Sequence, residues 1–418
     1  MKARHFLQKM SVSKSSCLDT LKFCVNNISV RFQFLERSII ILNKAIKYRL
    51  YPTDEQAIMF TKTFGCVRKI YNMLLSDKID YYKANKKMLK KTPAEYKKLE
   101  KYSFLKEVDS LALANARQNL DTAYNNFFRK RAGFPKFKTK HKTANSYTTN
   151  NQKGTIAILK KAIKLPKVGI VKAVIHRLPP MDWILKSATV SQTKDGKYYV
   201  SILFEYKENI GSTVIPYKTI GLDYASNGLY VDDMGRVGTN HKYYRESYEK
   251  LAKEQRKLSR KVGSKKGETK SNNYIKQLRK VNRIHRKIAN QRQDNLHKIS
   301  AEITNQYDVV CVESLNMRAM SNKGFGNGKA TMDNGYGMFL NMLEYKLKDK
   351  GKYFVKVDKW FRSSQICCRC GQQHKEMKDL SIRIIRCDCG LTISRDQNAA
   401  INIKKEGLRL LGILPKAA

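Results

Sequence analysis

The first clean periodicity along the chain is Ala45-Ile46-Lys47-Tyr48-Arg49-Leu50-Tyr51, where Ile46, Tyr48 and Leu50 alternate with Lys47 and Arg49. Alternation with period two marks a half-buried strand, and Pro52 ends it. Thr53-Asp54-Glu55-Gln56 then reads as a capping box, in which the Thr and Gln side chains each satisfy an orphan backbone donor of a helix start. Ala57, Phe60, Phe64, Val67, Tyr71 and Leu74 continue at helical spacing, and helical patterns run to about residue 131, interrupted around Thr92-Pro93. Short strands fill 155–206, where Asp195-Gly196 separates alternating flanks at Ala188–Thr193 and Lys197–Phe204, a hairpin signal. The pattern predicts a small β-barrel or sheet with the helical segment 53–131 inserted after its first strand. Residues 1–41 look unlike the rest of the chain and are expected to be a disordered or partly helical extension, or the product of an upstream translation start.

The second half begins with an apolar strand, Thr219-Ile220-Gly221-Leu222-Asp223-Tyr224-Ala225. Ser226-Asn227-Gly228 turns the chain, Leu229-Tyr230-Val231 begins a return strand, and Asp233-Met234-Gly235 turns it again. A meander with an acid on its first, central strand is how RNase H-like folds begin. Residues 243–304 read as two helices around a Gly/Ser/Lys break at 263–271, the second with Leu278, Val281, Ile284, Ile288 and Leu296 on its apolar side. Tyr307-Asp308-Val309-Val310-Cys311-Val312-Glu313 is another buried-type strand that finishes in an acid, and Arg395-Asp396-Gln397-Asn398-Ala399-Ala400 looks like a helix start with small residues for close packing.

Charge changes the picture. Among 418 residues, 83 Lys and Arg face 35 Asp and Glu, a formal net charge of +48. Such an excess repels itself unless a polyanion neutralises it, and nucleic acid does so through phosphate contacts and counterion release. Two regions concentrate the charge. The loop 129–146 interleaves Arg129, Lys130, Arg131, Lys136 and Lys138 with Phe134 and Phe137, a composition suited to RNA backbones and bases; a solvated loop whose rings pack on the core is the competing reading. On the 243–304 helices, Arg256, Lys257, Arg260, Arg279, Arg283, Arg286 and Lys287 lie with Lys253, Lys261 and Lys280 on what looks like a basic face meeting phosphate. The longest purely aliphatic stretch near the N-terminus, Ile39-Ile40-Ile41-Leu42, is far too short to span a bilayer. No signal peptide or membrane partner is expected, and the expected location is the cytoplasm.

Three acids sit on a strand, at the end of a strand and at the start of a helix, in that order: Asp223, Glu313 and Asp396. In an RNase H-like sheet those places converge on one edge. Burying a carboxylate unpaired is costly, and a divalent cation is one partner that relieves the cost. For Asp396 alone the helix dipole is a sufficient reason. Together the three oxygen donors suit two Mg²⁺ ions about 3.5–4 Å apart, one activating a water and the other stabilising the leaving 3′ oxygen. No Ser/His/Asp or Cys/His nucleophile arrangement and no Gly-x-x-x-x-Gly-Lys phosphate loop accompanies them.

Five of the nine cysteines crowd into 367–389, four of them spaced as Cys-x-x-Cys and Cys-x-Cys. Cys367-Cys368-Arg369-Cys370-Gly371 and Cys387-Asp388-Cys389-Gly390 present two thiolate pairs, each ending in Gly, the pattern of a zinc ribbon. The expected ligands of a closed, structural Zn²⁺ are Cys367, Cys370, Cys387 and Cys389, with Cys368 spare or alternative. An iron–sulfur cluster and a disulfide framework are the competing readings. The second pair has one intervening residue where two are commoner.

These residues resemble the insertion-sequence-associated OrfB/TnpB family, kin of compact type V CRISPR effectors. The resemblance runs from about residue 42 to 405 and is carried by Tyr48-Arg49-Leu50-Tyr51-Pro52-Thr53, Phe64-Gly65-Cys66-Val67-Arg68, Asn126-Phe127-Phe128 with Ala132-Gly133-Phe134-Pro135-Lys136-Phe137, Gly221-Leu222-Asp223, Lys287-Ile288-Ala289-Asn290-Gln291-Arg292, Val312-Glu313-Ser314-Leu315-Asn316, Ser363-Ser364-Gln365-Ile366-Cys367 and Arg395-Asp396-Gln397-Asn398-Ala399-Ala400. It implies Asp223, Glu313 and Asp396 as a RuvC triad in an RNA-guided, Mg²⁺-dependent DNA endonuclease, with a transposon-end transcript as guide and double-stranded DNA as target. A catalytically inactive guided repressor and a strand-transfer transposase are the alternatives. The fold class it implies is α/β plus α+β: an RNase H-like (RuvC) core with an inserted zinc ribbon, preceded by a wedge-like β-domain carrying a helical recognition insert, in a monomer. The expected boundaries are 1–41 for the extension, 42–52 and 132–215 for the wedge, 53–131 for the insert, 216–360 and 393–408 for the nuclease core, 361–392 for the ribbon and 409–418 for a tail. The chain departs from the family at Ser394, where an acid often stands two residues before the third catalytic Asp.

Overall fold

A computed structural model of the chain describes residues 38–140, 143–210, 216–265, 267–322, 328–379 and 381–413. The expected extension therefore lies outside the described residues over 1–37, and the expected tail over 414–418. The described residues form two compact units.

One unit comprises Ile39–Glu208 with Leu258–Arg283. Strand β1 (Ser38–Tyr51) buries Leu42, Ile46, Tyr48 and Leu50 on one face. It starts earlier than the alternation at 46–50 predicts, because the unbroken aliphatic run Ile39–Leu42 conceals a period of two. Helix α1 (Asp54–Asn85) opens with both bonds of the Thr53/Gln56 capping box and buries Phe60, Phe64, Val67, Tyr71 and Leu74. Thr92-Pro93 does not merely interrupt the helical pattern: it opens α2 (Pro93–Lys98), with Thr92 and Glu95 forming a second capping box and Pro in the first turn, where its missing N–H costs nothing. A 3₁₀ turn (Glu100–Lys106) leads to α3 (Ser110–Phe128), capped by Asp109. Strands β2 (Asn145–Asn150), β3 (Ala157–Leu159), β4 (Ala162–Leu165), β5 (Gly169–Val174), β6 (Ile184–Gln192) and β7 (Tyr198–Ile210) come next. Barrel and sheet were both open from the sequence; the hydrogen-bonded order is that of a seven-stranded sheet, β2-β6-β7-β1-β5-β4-β3, so the helices are inserted after an interior strand. The β6–β7 hairpin turns where Asp195-Gly196 predicts, with Gly196 at φ 87°. A single core joins helices and sheet through Phe60, Leu74, Leu113, Val190 and Ile202.

The other unit comprises Asn209–Lys257 with Ile284–Ala418. Its elements are β8 (Thr219–Tyr224), β9 (Tyr230–Asp232), α4 (Tyr243–Glu246), α5 (Tyr248–Ser259), α6 (Asn272–Gln306), β10 (Val309–Glu313), α7 (Met317–Met320), α8 (Gly328–Asn334), α9 (Tyr336–Lys348), β11 (Tyr353–Val357), β12 (Ile384–Arg386), β13 (Thr392–Ser394) and α10 (Arg395–Leu410). The end of α5 and the start of α6 belong to the first unit. Helix α10 reaches two residues into the expected tail, held by Leu408 in the core. The sheet order is β11-β10-β8-β9, with β10 parallel to both neighbours and β9 antiparallel.

Side-chain alternation splits this sheet into two faces. Ile220, Leu222, Val310 and Val312 point to one face and pack with Phe339 and Leu343 of α9 and Leu296 and Ile303 of α6. Val309, Cys311, Val355 and Val357 point to the other and pack with Ile403 and Leu408 of α10. Two glycines let α10 come this close. A Cβ on Gly221 would run into the Ala400 carbonyl oxygen and lie 2.9 Å from the Lys404 nitrogen, and one on Gly407 would run into the Cys311 sulfur.

Candidate active site and metal centre

The register brings the strand acids together. Leu222 pairs with Val312 across β8 and β10, so the next step along both strands is Asp223 on one and Glu313 on the other. Asp223 lies two residues past Gly221 and Glu313 two past Cys311, so both project from the face that α10 covers. Asp396 stands in the first turn of α10, which starts at the same end of the sheet. All three acids line one cleft of about 800 Å³, together with Ser226, Trp360 and Arg395. Ser394, where the family often has an acid, is the N-cap of α10 and accepts a hydrogen bond from the Gln397 N–H at 3.3 Å. A hydroxyl at that position completes the helix end.

The electrostatics are those of an uncompensated acid cluster. Burial, then the charges of Glu313 and Asp396, push the Asp223 carboxyl up to about 8; the Tyr224 N–H and the Arg395 guanidinium only partly offset them. Burial pushes Glu313 up to about 7. Asp396 is partly answered by Arg395, whose Nε lies 3.7 Å from its Oδ1. Three carboxylates on one cleft, the most buried of them raised in proton affinity by the other two, form a hard oxygen donor set, the kind that Mg²⁺ or another hard divalent cation takes.

Several supporting residues escaped the sequence reading. Asn334, buried at the end of α8, donates to the Ala225 and Gly228 carbonyls at 3.1 and 2.9 Å and so fixes the turn after Asp223. Its neighbour Asp333 is 3% exposed, pairs with Arg292 at 3.0 Å and accepts from the Tyr244 N–H. Arg292 ends one of the family motifs, which is the signal that could have found the pair. Asp233 accepts from the Gly221 N–H at 3.2 Å and from Lys404 Nζ at 2.7 Å, tying β8, the turn after β9 and α10 together. Asn402 donates to the Ser363 and Ile366 carbonyls at 2.8 and 2.6 Å, while Asn398 donates to Ile366 and accepts from the Cys368 N–H. The residues after Asp396 thus do more than pack closely: their amides hold the segment that leads into the cysteines.

The sulfurs of Cys367, Cys370, Cys387 and Cys389 all lie within 4.8 Å of one another. Cys367 and Cys389 approach to 3.7 Å and Cys370 and Cys387 to 3.5 Å. Tetrahedral sulfurs about 2.3 Å from a Zn²⁺ stand about 3.8 Å apart, so the spacing fits that ion. Burial opposes ionisation of Cys367, but backbone hydrogen bonds from Cys370 and Arg369 and from neighbouring thiols bring it down to about 6. Cys368 is outside the group. The β12–β13 hairpin carries the second pair and runs straight into α10. Among the described residues no other His, Cys, Asp or Glu group is gathered this tightly, so the acids share an open cleft and not a closed cage.

The basic residues are distributed over both units. Arg129, Lys130, Arg131 and Lys136 are exposed on the loop after α3, where Phe134 meets Tyr124 and Phe127 edge-on at 5.7 and 5.3 Å. Those rings therefore pack locally while Phe137 stays 54% exposed. Lys138 is tied down: its Nζ sits 3.9 Å over the Tyr71 ring, and Asn72 holds its backbone N–H and carbonyl. On α5 and α6, Arg256, Lys257, Arg279, Arg283 and Lys287 are exposed and Arg286 half-buried; Arg260 is exposed just after α5, and Lys257 pairs with Glu254 at 3.0 Å. Among the described residues no helix is long and apolar enough to cross a membrane.

Family models match three stretches: a helix-turn-helix domain of the OrfB IS605 type over 42–87, a "Probable transposase" model, OrfB IS605, over 201–324, and a "Cas12f1-like, TNB domain" over 336–403. The chain is 34% identical over 379 residues, covering 88% of itself and 90% of the other protein, to a Streptomyces pristinaespiralis protein named "Putative RNA-guided DNA endonuclease". It is 30% identical over 389 residues to "Putative RNA-guided DNA endonuclease InsQ" of Escherichia coli (strain K12), covering 88% and 93%. Its fold is similar to the protein in "Cryo-EM structure of the Cas12f1-sgRNA-target DNA complex", with a TM-score of 0.53 at 14% identity over 96% of this chain and 91% of that one. Spanned almost end to end by relatives of this identity, the chain belongs to the OrfB (IS605) family of TnpB-like proteins.

Proposed function

We propose that this chain is an RNA-guided, divalent-metal-dependent DNA endonuclease that cuts with Asp223, Glu313 and Asp396. The single observation that carries the reading is the shared cleft of those three acids, in which Arg395 only partly offsets their charge. The names of the relatives support it. In this reading residues 216–360 and 393–408 are an RNase H-like RuvC core interrupted by a zinc ribbon at 361–392. Residues 42–52 and 132–215 form a wedge-like β-domain, and 53–131 a recognition insert. Mg²⁺ bound by the three acids would supply an activated water and stabilise the leaving 3′ oxygen. The protein's own contribution is to hold the acids in register, and to place Arg395 and the cleft's other cations where a DNA phosphate must lie. Cys367, Cys370, Cys387 and Cys389 hold a structural Zn²⁺ that braces α10, and so Asp396, against the sheet. The excess of 83 basic over 35 acidic residues neutralises guide and target backbones. The guide comes from the transposon end, and the protein works as a monomer in the cytoplasm.

The test is to purify the full chain from its host, sequence the RNA that accompanies it and offer a matching double-stranded target with Mg²⁺. One RNA species mapping to a mobile-element end, and cleavage lost in Asp223→Ala with RNA retained, is the expected result. Cleavage that survives in Asp223→Ala refutes the triad; joined transposon ends in place of hydrolysed ones would turn the reading to strand transfer.

A further inference from the structure

One cleft residue has no part in holding metal or bracing the fold. Trp360 lies just after β11 and is 78% exposed, yet it lines the same cleft as the three acids. It is one of two tryptophans in the chain; the other, Trp183, is half-buried and stacked on Tyr206 with centroids 4.4 Å apart. The backbone around Trp360 is fixed on both sides. Asp358 Oδ1 accepts from the Trp360 N–H at 2.8 Å, Phe361 packs against the α10 core, and the Ser363 carbonyl accepts from Asn402. The loop is thus anchored to the helix that carries Asp396, while its largest apolar side chain is left in water. Full burial of an indole would be strongly favourable, so its exposure at an anchored position leaves that surface available to a ligand.

The surroundings define the ligand's chemistry. Lys359 Nζ lies 4.6 Å over the Trp360 ring, and Arg362, Lys378 and Arg383 line the same cleft. An apolar protein face laid over Trp360 would have to desolvate those cations without pairing them. A single nucleic-acid strand meets both demands at once: its base offers a flat apolar face to the indole, and its phosphates offer charge to the lysines and arginines. A duplex keeps its bases stacked on each other and offers no such face.

We propose that Trp360 stacks on a base of the DNA strand that enters the cleft, and so fixes the adjoining phosphate over Asp223, Glu313 and Asp396. Stacking tolerates any base, so the contact holds the strand without reading its sequence. This rests on the nuclease reading for the identity of the strand, and the test separates the two.

In the full chain carrying Trp183→Phe and Asp223→Asn, Trp360 is the sole indole and the strand is not cut. Titration with a single-stranded oligodeoxynucleotide is expected to quench its emission and shield it from iodide, equally for purine and pyrimidine sequences. In the otherwise intact chain with its accompanying RNA, Trp360→Ala is expected to lower kcat/KM on a pre-unwound target about tenfold, mostly through KM, with Trp360→Phe recovering most of the loss. The side chain is exposed, so the melting temperature should not change. Emission untouched at saturating oligonucleotide, or Trp360→Ala cutting as well as the unaltered chain, would overturn the proposal. Should the unaltered complex cut nothing, the nuclease reading falls, while the fluorescence experiment still decides whether Trp360 stacks.

Discussion

Two groups of metal-type ligands lie in the same unit, and they are built on opposite principles. The four cysteine sulfurs close to within 4.8 Å of one another, enough to surround an ion completely. The three carboxylates line an open cleft of about 800 Å³, where burial and the charges of Glu313 and Asp396 leave Asp223 with a raised proton affinity. A closed tetrahedral sulfur site has no room for a substrate and contributes folding energy, whereas an open carboxylate site leaves coordination positions for water and phosphate. Holding like charges together costs stability, and the fold tolerates that cost where chemistry needs it. On the proposed reading the cysteines serve the acids, since β12 and β13 lead directly into the helix that carries Asp396.

The contrast can be broken most sharply by exchanging which group is damaged. Asp223→Asn should reduce cleavage by on the order of a thousandfold or more while one zinc per chain is preserved and the melting temperature does not fall. Cys387→Ser should do the reverse in order of cause: zinc content falls from one to none, stability drops by several kcal/mol, and cleavage fails because the protein does. Elemental analysis and calorimetry on both variants separate the two roles; a Cys387→Ser chain that keeps its zinc and its melting temperature would erase the distinction.

A smaller effect probes the link between the groups. Asn402→Ala leaves the Ser363 carbonyl dependent on a longer bond from Asn398, and should cost about 1–3 kcal/mol by denaturant unfolding. As a residue that positions Asp396's helix against the cysteine segment, it should also reduce cleavage by about 10–100-fold without loss of zinc. Unchanged cleavage would mean that the two sites are mechanically independent.

The smallest effect is in pH dependence. The metal-free folded chain holds protons on Asp223 and Glu313 up to about 8 and 7, far above the ordinary carboxylate range that applies to the unfolded chain. The folded state therefore binds more protons across that interval, and the contribution of these groups to stability falls as pH rises from about 4 toward 8. Asp223→Asn should flatten that decline and leave the variant relatively more stable at the alkaline end, by chemical unfolding in the absence of divalent metal. Parallel pH profiles would show that the acids are not crowded.

Much of this was legible in the sequence because the acids end apolar strands or begin a helix. Asp223 and Glu313 each close a run of buried residues, and such runs keep their meaning without tertiary information. The cysteine spacing spoke for itself in the same way. What was hidden depended on partners far along the chain. Asn398 and Asn402 look like ordinary polar positions in a small-residue helix until the carbonyls of Ser363 and Ile366 are brought to them. Arg292 reads as one more cation on a basic helix, and only folding supplies Asp333. Lys138 reads as a phosphate contact, and its sequence neighbours do not reveal the Tyr71 ring that lies beneath it. The early start of β1 was masked by an aliphatic run with no period. Pro93 looked like a break because a proline that starts a helix and one that stops it differ only in the conformation of the residues on their C-terminal side.

The central claim is that Asp223, Glu313 and Asp396 jointly bind divalent metal. Mn²⁺, standing in for Mg²⁺, can be titrated into the zinc-loaded full chain and monitored by electron paramagnetic resonance. The account predicts a pair of spin-coupled ions in the unaltered chain, and loss of that pair together with cleavage in each of Asp223→Asn, Glu313→Gln and Asp396→Asn. Mn²⁺ binding and cleavage that persist undiminished through all three substitutions would contradict it.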